Sequence, residues 1–365
     1  MNWHRFHSEL ALAVLLLCSP KAEAQTIQDL LDAHDRRAPS GTTRPGDLAD
    51  WNAYNRSGWR AIGKGYYDTA EREFRAAIRA ANRPGLQDTR LLARSYADFA
   101  WSLQKQGRNA EAEPHARWAL VAREALLNPG TPAIAQSQNQ LATLYLDLGR
   151  QAEAETLLRR SIEEQGKSDR ANPVELARSQ TLLGLLLTSQ RRYAEAEPNF
   201  ARVLEGRERT LGPSNAETGD ALNNLAWTYL EQGKDDQACP LFERALKVYG
   251  RTRGESSPSV AHILDGLGQV LSRRGEAKEA EANYLRSIAI WDKTPGDDAS
   301  LLEVLRHYSR LLDDQGRAED LGRIKARIVP LRAKLSLVIP TLGPWYQFPD
   351  FSPPTGPIST GRLPG

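Results

Sequence analysis

The fold is decided by the stretch Leu222-Asn-Asn-Leu-Ala-Trp-Thr-Tyr229, with Gly233 after it and Phe242-Glu-Arg-Ala-Leu246 following. Its apolar residues recur three and four positions apart, which is the spacing of one face of an α-helix. Gly233 separates the two runs, because glycine readily adopts the backbone conformation that ends a helix. The stretch therefore predicts two helices joined by a tight turn.

The same unit recurs along the chain, and Gly275 stands 42 residues after Gly233. In six successive copies the turn position holds Gly65, Gly107, Gly149, Arg191, Gly233 and Gly275, and five residues later stand Ala70, Ala112, Ala154, Ala196, Ala238 and Ala280. A seventh copy departs, with Gly316 after 41 residues and Leu321 at the alanine place. A fixed period of this length is typical of helix pairs stacked on copies of themselves, and an atypical last copy suits an end that faces water.

A second small residue stands seven positions before each turn. The six are Gly58, Ala100, Ala142, Gly184, Ala226 and Gly268. Small side chains at a fixed place predict that the first helix of each copy approaches its partner closely there.

Both features resemble the tetratricopeptide repeat, and the period is similar to that of the kinesin-light-chain-type variant found in many bacterial proteins. The resemblance covers roughly residues 51–328. It implies an all-α, right-handed α-solenoid of about seven helix pairs. It implies little about activity, because such repeats are scaffolds found beside many functions.

The first residues have the pattern of a secretory signal peptide. His4-Arg5 precedes an apolar stretch from Leu10 to Leu17, and Ala22-Glu23-Ala24 matches a small-x-small cleavage site before Gln25. We therefore expect a periplasmic or secreted protein that has no membrane span once residues 1–24 are removed. A retained, uncleaved anchor is the alternative.

Four segments follow from these patterns. Residues 1–24 form the signal peptide, 25–50 an N-terminal segment and linker, 51–333 the repeat solenoid, and 334–365 a Pro-rich tail. The tail contains Trp345, Tyr346, Phe348 and Phe351. Disorder, return onto the last repeats and partner binding are all open for it, since disordered segments are normally poor in aromatic residues.

Composition and motifs argue against several function classes. Lysine and arginine total 48 and aspartate and glutamate total 46, so there is no electrostatic case for nucleic acid. The sequence contains no phosphate loop, nucleophile elbow or metal-ligand spacing. His262 and Asp265, three residues apart, are interpreted as a surface hydrogen-bonded pair. We therefore predict a non-enzyme without cofactor or metal.

The predicted binding surface lies on the first helices, which line the concave groove of proteins of this kind. Positions ten, six and thirteen residues before each turn share one stripe of a helix. An asparagine amide can both donate to and accept from a peptide backbone, and a tryptophan offers a broad apolar area. The predicted groove residues are Asn55, Trp59, Arg94, Trp101, Asn139, Arg178, Asn223 and Trp227.

Each of these residue types has a structural alternative. The three tryptophans could pack between first helices, as we expect Trp118 and Trp291 to pack in the core, and the arginines could form a solvated face. The sequence thus favours a scaffold that binds an extended peptide or protein segment of unknown identity. A self-associating structural protein and an accessory subunit of an envelope enzyme complex are the alternatives.

Overall fold

The computed structural model describes residues 45–83, 88–294 and 296–335. Over this part of the chain it contains fourteen α-helices and no strand. In chain order they are α1 (Pro45–Gly63), α2 (Tyr67–Ala81), α3 (Thr89–Lys105), α4 (Asn109–Leu126), α5 (Pro132–Asp147), α6 (Gln151–Gly166), α7 (Pro173–Ser189), α8 (Tyr193–Leu211), α9 (Ala216–Glu231), α10 (Asp235–Thr252), α11 (Pro258–Arg273), α12 (Ala277–Trp291), α13 (Asp298–Asp314) and α14 (Ala318–Leu335). The predicted all-α arrangement of about seven helix pairs is confirmed.

The chain divides into two compact units, and the division lies inside α7, after Ser179. In unit one, each of α1 to α5 packs against the helix that follows it. In unit two the same holds from α8 to α13. Each unit is therefore a stack of antiparallel helix pairs built from consecutive segments.

The first helix of each pair begins at a proline or a capping residue, whereas six of the second helices have no side-chain cap. Pro132 and Pro258 occupy the first turn of α5 and α11, where a missing backbone N–H costs nothing. The Asn215 side chain accepts a hydrogen bond from the Glu217 backbone N–H at 2.8 Å at the start of α9. α1 begins at Pro45, so the first helix starts inside the segment that the sequence suggested was linker.

The turn inside each pair has one conformation. Gly149 and Gly233 have φ angles of 75° and 72°, in the left-handed region. Arg191, which replaces glycine in the fourth copy, adopts the same conformation with φ of 60°. Since a side chain is disfavoured there, the Arg191 turn carries backbone strain that the other turns lack.

The recurring small residues admit aromatic rings from the second helix. A Cβ atom added to Gly184 would stand 2.6 Å from the Phe200 ring, and one added to Gly268 would stand 2.5 Å from the Tyr284 ring. The six alanines that follow the turns are fully buried. The predicted close approach of the helices is confirmed, and these positions are structural.

A second recurring contact, which we did not predict, links neighbouring pairs. A basic residue directly after the turn bonds a glutamate of the preceding second helix in four places: Arg108 with Glu71, Arg150 with Glu113, Lys234 with Glu197, and Arg317 with Glu281. The N to O distances are 2.6–2.7 Å. The glutamates are mostly covered while the basic side chains are about one third exposed, so solvent still screens these pairs and each contributes modestly to stability.

Some predictions fall outside the described residues. The signal peptide, most of the 25–50 segment and the aromatic tail residues are among them. Within the described helices, none is long and apolar enough to cross a membrane.

Candidate functional site

On each first helix, one residue lies ten positions before the turn, and we call this set of equivalent residues the row. Its members are Asn55, Ala97 and Asn139 in unit one and Thr181, Asn223, Asp265 and Arg306 in unit two. In the following copy, the residue nine positions before the turn lies next to this row residue and can form a hydrogen bond with it. Asn55 donates to Asp98 at 2.7 Å, Gln140 donates to the Ala97 carbonyl at 2.8 Å, and His307 lies 2.9 Å from Asp265.

These cross-repeat bonds join residues 42 or 43 positions apart. Sequence reasoning missed Asp98 and His307 as partners, although the 42-residue period contained the signal. A polar residue ten positions before one turn and a polar residue nine positions before the next turn are expected to meet, because equivalent helices of neighbouring copies pack side by side.

In unit one, Asp98 gathers three of the predicted residues around its carboxylate. It accepts from the Asn55 amide at 2.7 Å, Arg94 Nε lies 3.7 Å away, and Trp59 lies close by. Burial nevertheless raises the pKa of Asp98 above its ordinary value, and the charges of Arg94 and Arg123 and the Asn55 hydrogen bond oppose that shift only in part. The Asn55 amide N–H therefore bonds the protein itself rather than facing solvent.

Two of the predicted tryptophans form an aromatic contact that is still partly exposed. The Trp59 and Trp101 ring centroids are 5.1 Å apart, and Trp59 also meets the Phe74 ring edge-on at 5.6 Å. The Lys105 ammonium lies 4.9 Å from the Trp101 ring. Both indoles thus pack against neighbours and present remaining surface to solvent.

Asn139 is buried and bonded on both sides of its amide. Its N–H groups donate to the Glu175 backbone carbonyl and to the Glu175 carboxylate, each at 3.1 Å. Its oxygen accepts from the Ser179 hydroxyl at 2.7 Å. Arg178 stands 3.6 Å from the Glu175 carboxylate. Asn139 and Arg178 therefore contact other residues of the same chain.

Arg123, near the end of α4, is a buried cation that no sequence pattern singled out. It donates to the Ala133 carbonyl at 2.8 Å and to the Ser137 hydroxyl at 2.7 Å. Burial lowers the pKa of Arg123 to about 10. Its charge helps to balance the buried carboxylates of unit one.

In unit two, Asn223 is 1% exposed, and its Oδ1 accepts no hydrogen bond from any described residue. In the following copy, the residue nine positions before the turn is Gly266, which has no side chain that could bond Asn223. A Cβ atom there would stand 2.5 Å from the Phe242 ring, so packing excludes a polar side chain. The adjacent Asn224 is also buried and its Oδ1 lacks a donor among the described residues.

Trp227 lies four residues after Asn223 and differs from the tryptophans of unit one. It is 3% exposed and meets the Phe242 ring edge-on at 5.5 Å. On the second helices, Trp291 is buried, while Trp118 is partly exposed against Tyr96 at 4.6 Å. The geometry of Trp227 is that of a core residue, and a binding role for it stays a prediction.

The interpretation of His262 and Asp265 as a surface pair is wrong. Both side chains are buried, and Asp265 bonds His307 of α13 at 2.9 Å. His262 instead meets the Trp291 ring at 4.8 Å. Sequence spacing along one helix could not reveal this, because the neighbouring helix supplies the partner.

The first helices present both hydrogen-bonding and apolar groups. No group of three or more His, Cys, Asp or Glu side chains in the described part of the chain is placed to hold a metal ion.

A family model of the tetratricopeptide repeat matches residues 103–163, 175–251, 229–291 and 259–320, more than half of the chain. No curated protein matches the sequence significantly.

Several solved structures are similar. BtubC (BKLC) from P. vanneervenii is 22% identical over 69% of this chain and 94% of that one, with a TM-score of 0.52. Aspartyl phosphate phosphatase F from Bacillus subtilis is 15% identical over 90% and 80%, with a TM-score of 0.56. A Podosopora anserina kinesin light chain with nearly identical TPR-like repeats is 23% identical over 57% and 99%, with a TM-score of 0.49. At these identities the likeness concerns the fold alone.

Proposed function

The chain belongs to the tetratricopeptide repeat family, and from that premise we propose that it is a non-catalytic scaffold that binds an extended peptide or protein segment along its first helices. Repeats of this fold present a continuous row of helices to a partner rather than a closed pocket.

The observation that carries the proposal is the Trp59 and Trp101 pair of unit one, whose ring centroids are 5.1 Å apart and whose side chains are partly exposed. The row asparagines do not carry it, because Asn55, Asn139 and Asn223 are each at most 5% exposed.

The exposed part of the Trp59 and Trp101 pair supports the proposal in unit one. A partly exposed aromatic pair offers apolar area to a ligand at small entropic cost, since its rings are already ordered by packing. Trp101→Ala should therefore weaken binding of a segment that reaches this pair.

Site-specific photocrosslinking in the native host tests the proposal. A photoreactive phenylalanine derivative replaces Trp101, and in a second protein it replaces Trp59. Tyr66, 62% exposed and outside this pair, receives the same replacement as the matched control. Crosslinks to one protein segment from Trp59 and Trp101, and not from Tyr66, are expected.

The crosslinked segment is then synthesised and its Kd is measured. Trp59→Ala and Trp101→Ala should each weaken binding by roughly tenfold or more, since anchor residues typically contribute that much. Crosslinks to the chain's own residues 340–365 or to a second copy would favour the self-associating alternative. Equal labelling from Tyr66 and the two tryptophan positions would contradict the proposal.

Export is a separate part of the proposal, supported by the apolar run and the Ala22-Glu23-Ala24 site. The mature protein begins at Gln25 and works in the periplasm or outside the cell. An intact mass of the envelope-purified protein that still includes residues 1–24 would refute cleavage.

A further inference from the structure

The last helix, α14, leaves most of its apolar side chains uncovered. Its isoleucine, leucine and valine residues are Leu321, Ile324, Ile328, Val329, Leu331 and Leu335, and of these Leu321 alone is buried. Val329 is 67% exposed, more than any other large hydrophobic residue of the described chain. By contrast α12, the second helix of the preceding copy, buries six residues, including Tyr284 and Trp291.

Val329 occupies a place that the other copies cover. It stands thirteen residues after its turn glycine, and every copy has an aliphatic residue there: Ile78, Leu120, Ile162, Leu204, Leu246 and Ile288. Four of these six are buried and the other two are half-buried. The exposure of Val329 is therefore a property of the last copy and not of the repeat.

In an earlier copy this face contacts the first helix of the next copy. Arg123, three residues after Leu120, donates to the Ala133 carbonyl at 2.8 Å and to the Ser137 hydroxyl at 2.7 Å, both on α5. The equivalent of Arg123 in the last copy is Arg332, which is exposed. No described helix follows α14, so this face offers an uncovered aliphatic side chain beside a guanidinium.

A second copy of α14 is a poor partner for this face because the helix is basic. Five basic residues stand against Glu319 and Asp320, and they are Arg323, Lys325, Arg327, Arg332 and Lys334. Three of the five pair with carboxylates, whereas Lys325 and Arg332 form no ion pair with the described residues. A symmetric contact between two such helices would place like charges together, which costs free energy.

End-to-end stacking of copies is disfavoured for the same reason. On α1, the first described helix, Arg60 is exposed five residues before the turn. The equivalent residues of the later copies are all buried: Ser102, Leu144, Leu186, Thr228, Val270 and Leu311. The uncovered face of α1 is therefore basic as well, and it would repel the uncovered face of α14.

The chain's own continuation has the complementary chemistry. Residues 336–351 contain Trp345, Tyr346, Phe348 and Phe351, no lysine or arginine, and one charged residue, Asp350. Aromatic rings attract the cations of lysine and arginine through their faces. The segment also contains three prolines, which lack a backbone N–H, so that carbonyls near them are available to a donor such as a guanidinium.

The continuation is also long enough to reach this face. A helix rises about 1.5 Å per residue, so the distance from Leu335 back to Lys325 is about 15 Å. An extended chain spans about 3.3 Å per residue, so about five residues cover that distance. Residues 336–344 lie between the end of α14 and Trp345, which leaves room for a reversal of direction.

We propose that residues 345–351 of this chain fold back on α14 and cover its exposed face. Val329 is the apolar contact for the aromatic side chains, and Lys325 and Arg332 are the cations that face the rings and the carboxylate of Asp350. The contact lies outside the tryptophan pair of unit one, so it does not depend on the proposed function.

Limited proteolysis of the full chain with chymotrypsin, which cleaves after aromatic residues, tests the contact. Cleavage within residues 345–351 should be at least roughly tenfold slower than in a synthetic peptide of residues 336–351, since a docked segment is cleaved only when it opens. Val329→Asp should raise the rate towards that of the peptide, because a carboxylate replaces the apolar contact. Parent protein cleaved as fast as the peptide would overturn the proposal.

Leu285→Asp is the matched control for this variant. Leu285 is an exposed aliphatic residue of α12, 47% exposed, and its replacement should leave cleavage of residues 345–351 at the parent rate. Both substituted residues are exposed, so thermal melts of the two variants should stay close to that of the parent. Equal acceleration of cleavage in both variants would overturn the proposal.

Photocrosslinking identifies what covers the face. A photoreactive phenylalanine derivative replaces Val329, and in a control protein it replaces Lys334, which is closer to the segment along the chain. Crosslinks to residues 345–351 at the mass of one chain, stronger from Val329 than from Lys334, are expected. Equal labelling from both positions would show tethering alone, and crosslinks at the mass of two chains would show that a second copy covers α14. Either result would overturn the proposal.

Discussion

In unit one, the chain itself completes the bonding of the buried polar groups of the row. Asn55 bonds Asp98, Asn139 bonds Glu175 and Ser179, and arginines stand near both carboxylates. In unit two, Asn223 lacks a hydrogen-bond donor among the described residues and Asp265 has a histidine where unit one has arginines. The row is thus internally bonded in unit one and more varied in unit two, where it also includes the exposed Arg306 paired with Glu303.

The comparison of the two units shows which positions of the repeat are constrained by the fold. The turn residue and the small residues behind it are held by backbone conformation and by ring packing, and both units keep them. The row has no such constraint, since its side chains need only fit between neighbouring helices. Function can therefore vary there without loss of the fold.

The largest effect should come from the packing that both units share. Gly184→Leu in unit two forces a side chain into the Phe200 ring and should lower the free energy of unfolding by about 3 kcal/mol, and Ala142→Leu in unit one by a similar amount. Gly206→Leu is the matched control, since a Cβ atom there meets nothing within 4 Å and leucine favours a helix. Denaturant unfolding decides, and a Gly184→Leu protein as stable as the parent would show that the repeat register is wrong.

A pair of asparagine variants tests the contrast between the units directly. Asn139→Ala removes the amide that bonds Glu175 and Ser179 and should lower the free energy of unfolding by about 2 kcal/mol. Asn223→Ala removes an amide oxygen that lacks a donor and should cost less than about 1 kcal/mol. If denaturant unfolding shows that both variants lose the same free energy of unfolding, the row asparagines of the two units do not differ in their internal bonding.

Exchanging the turn residues should have a smaller effect. Arg191→Gly relieves the strain of a side chain at φ of 60° and should stabilise the protein by about 1 kcal/mol. The reverse change in unit one, Gly149→Arg, should cost about the same, because Gly149 has φ of 75°. Thermal melts of both variants check the prediction, and shifts of the same sign would contradict it.

The smallest effect is the pH dependence of Asp98. Burial raises the pKa of Asp98, so the folded protein holds this proton more tightly than the unfolded chain does. The tighter binding of this proton adds its full amount to the free energy of unfolding at pH values below the ordinary pKa of aspartate. That amount is lost as the pH rises through the raised pKa of the folded protein. Asp98→Asn cannot ionise, so its stability relative to the parent should improve from about pH 3 to about pH 7. Asp236→Asn, an exposed aspartate of unit two, is the control.

Much of the fold followed from the sequence because its signals are local and repeated. Gly65, Gly107 and Gly149 adopt the left-handed conformation that a turn glycine predicts. The site followed less well. Asn55, Asn139 and Asn223 occupy one sequence position, yet two of them bond neighbours and one does not.

That difference depends on residues about 40 positions away, which no single helix pattern contains. Asn55 meets Asp98 because the next copy carries a carboxylate at the adjacent place, whereas Asn223 meets Gly266 because the Phe242 ring occupies the space. A pair found through the period, such as Asp265 with His307, can be anticipated from sequence once the offset is known.

The sequence by itself determined the helix pairs, their number and the turns, since each depends on backbone preference and on apolar spacing within about 42 residues. Only the tertiary structure decided which polar side chains are buried and which have partners. Burial and hydrogen bonding depend on what the adjacent helix places opposite, and that is a property of packed surfaces rather than of one segment.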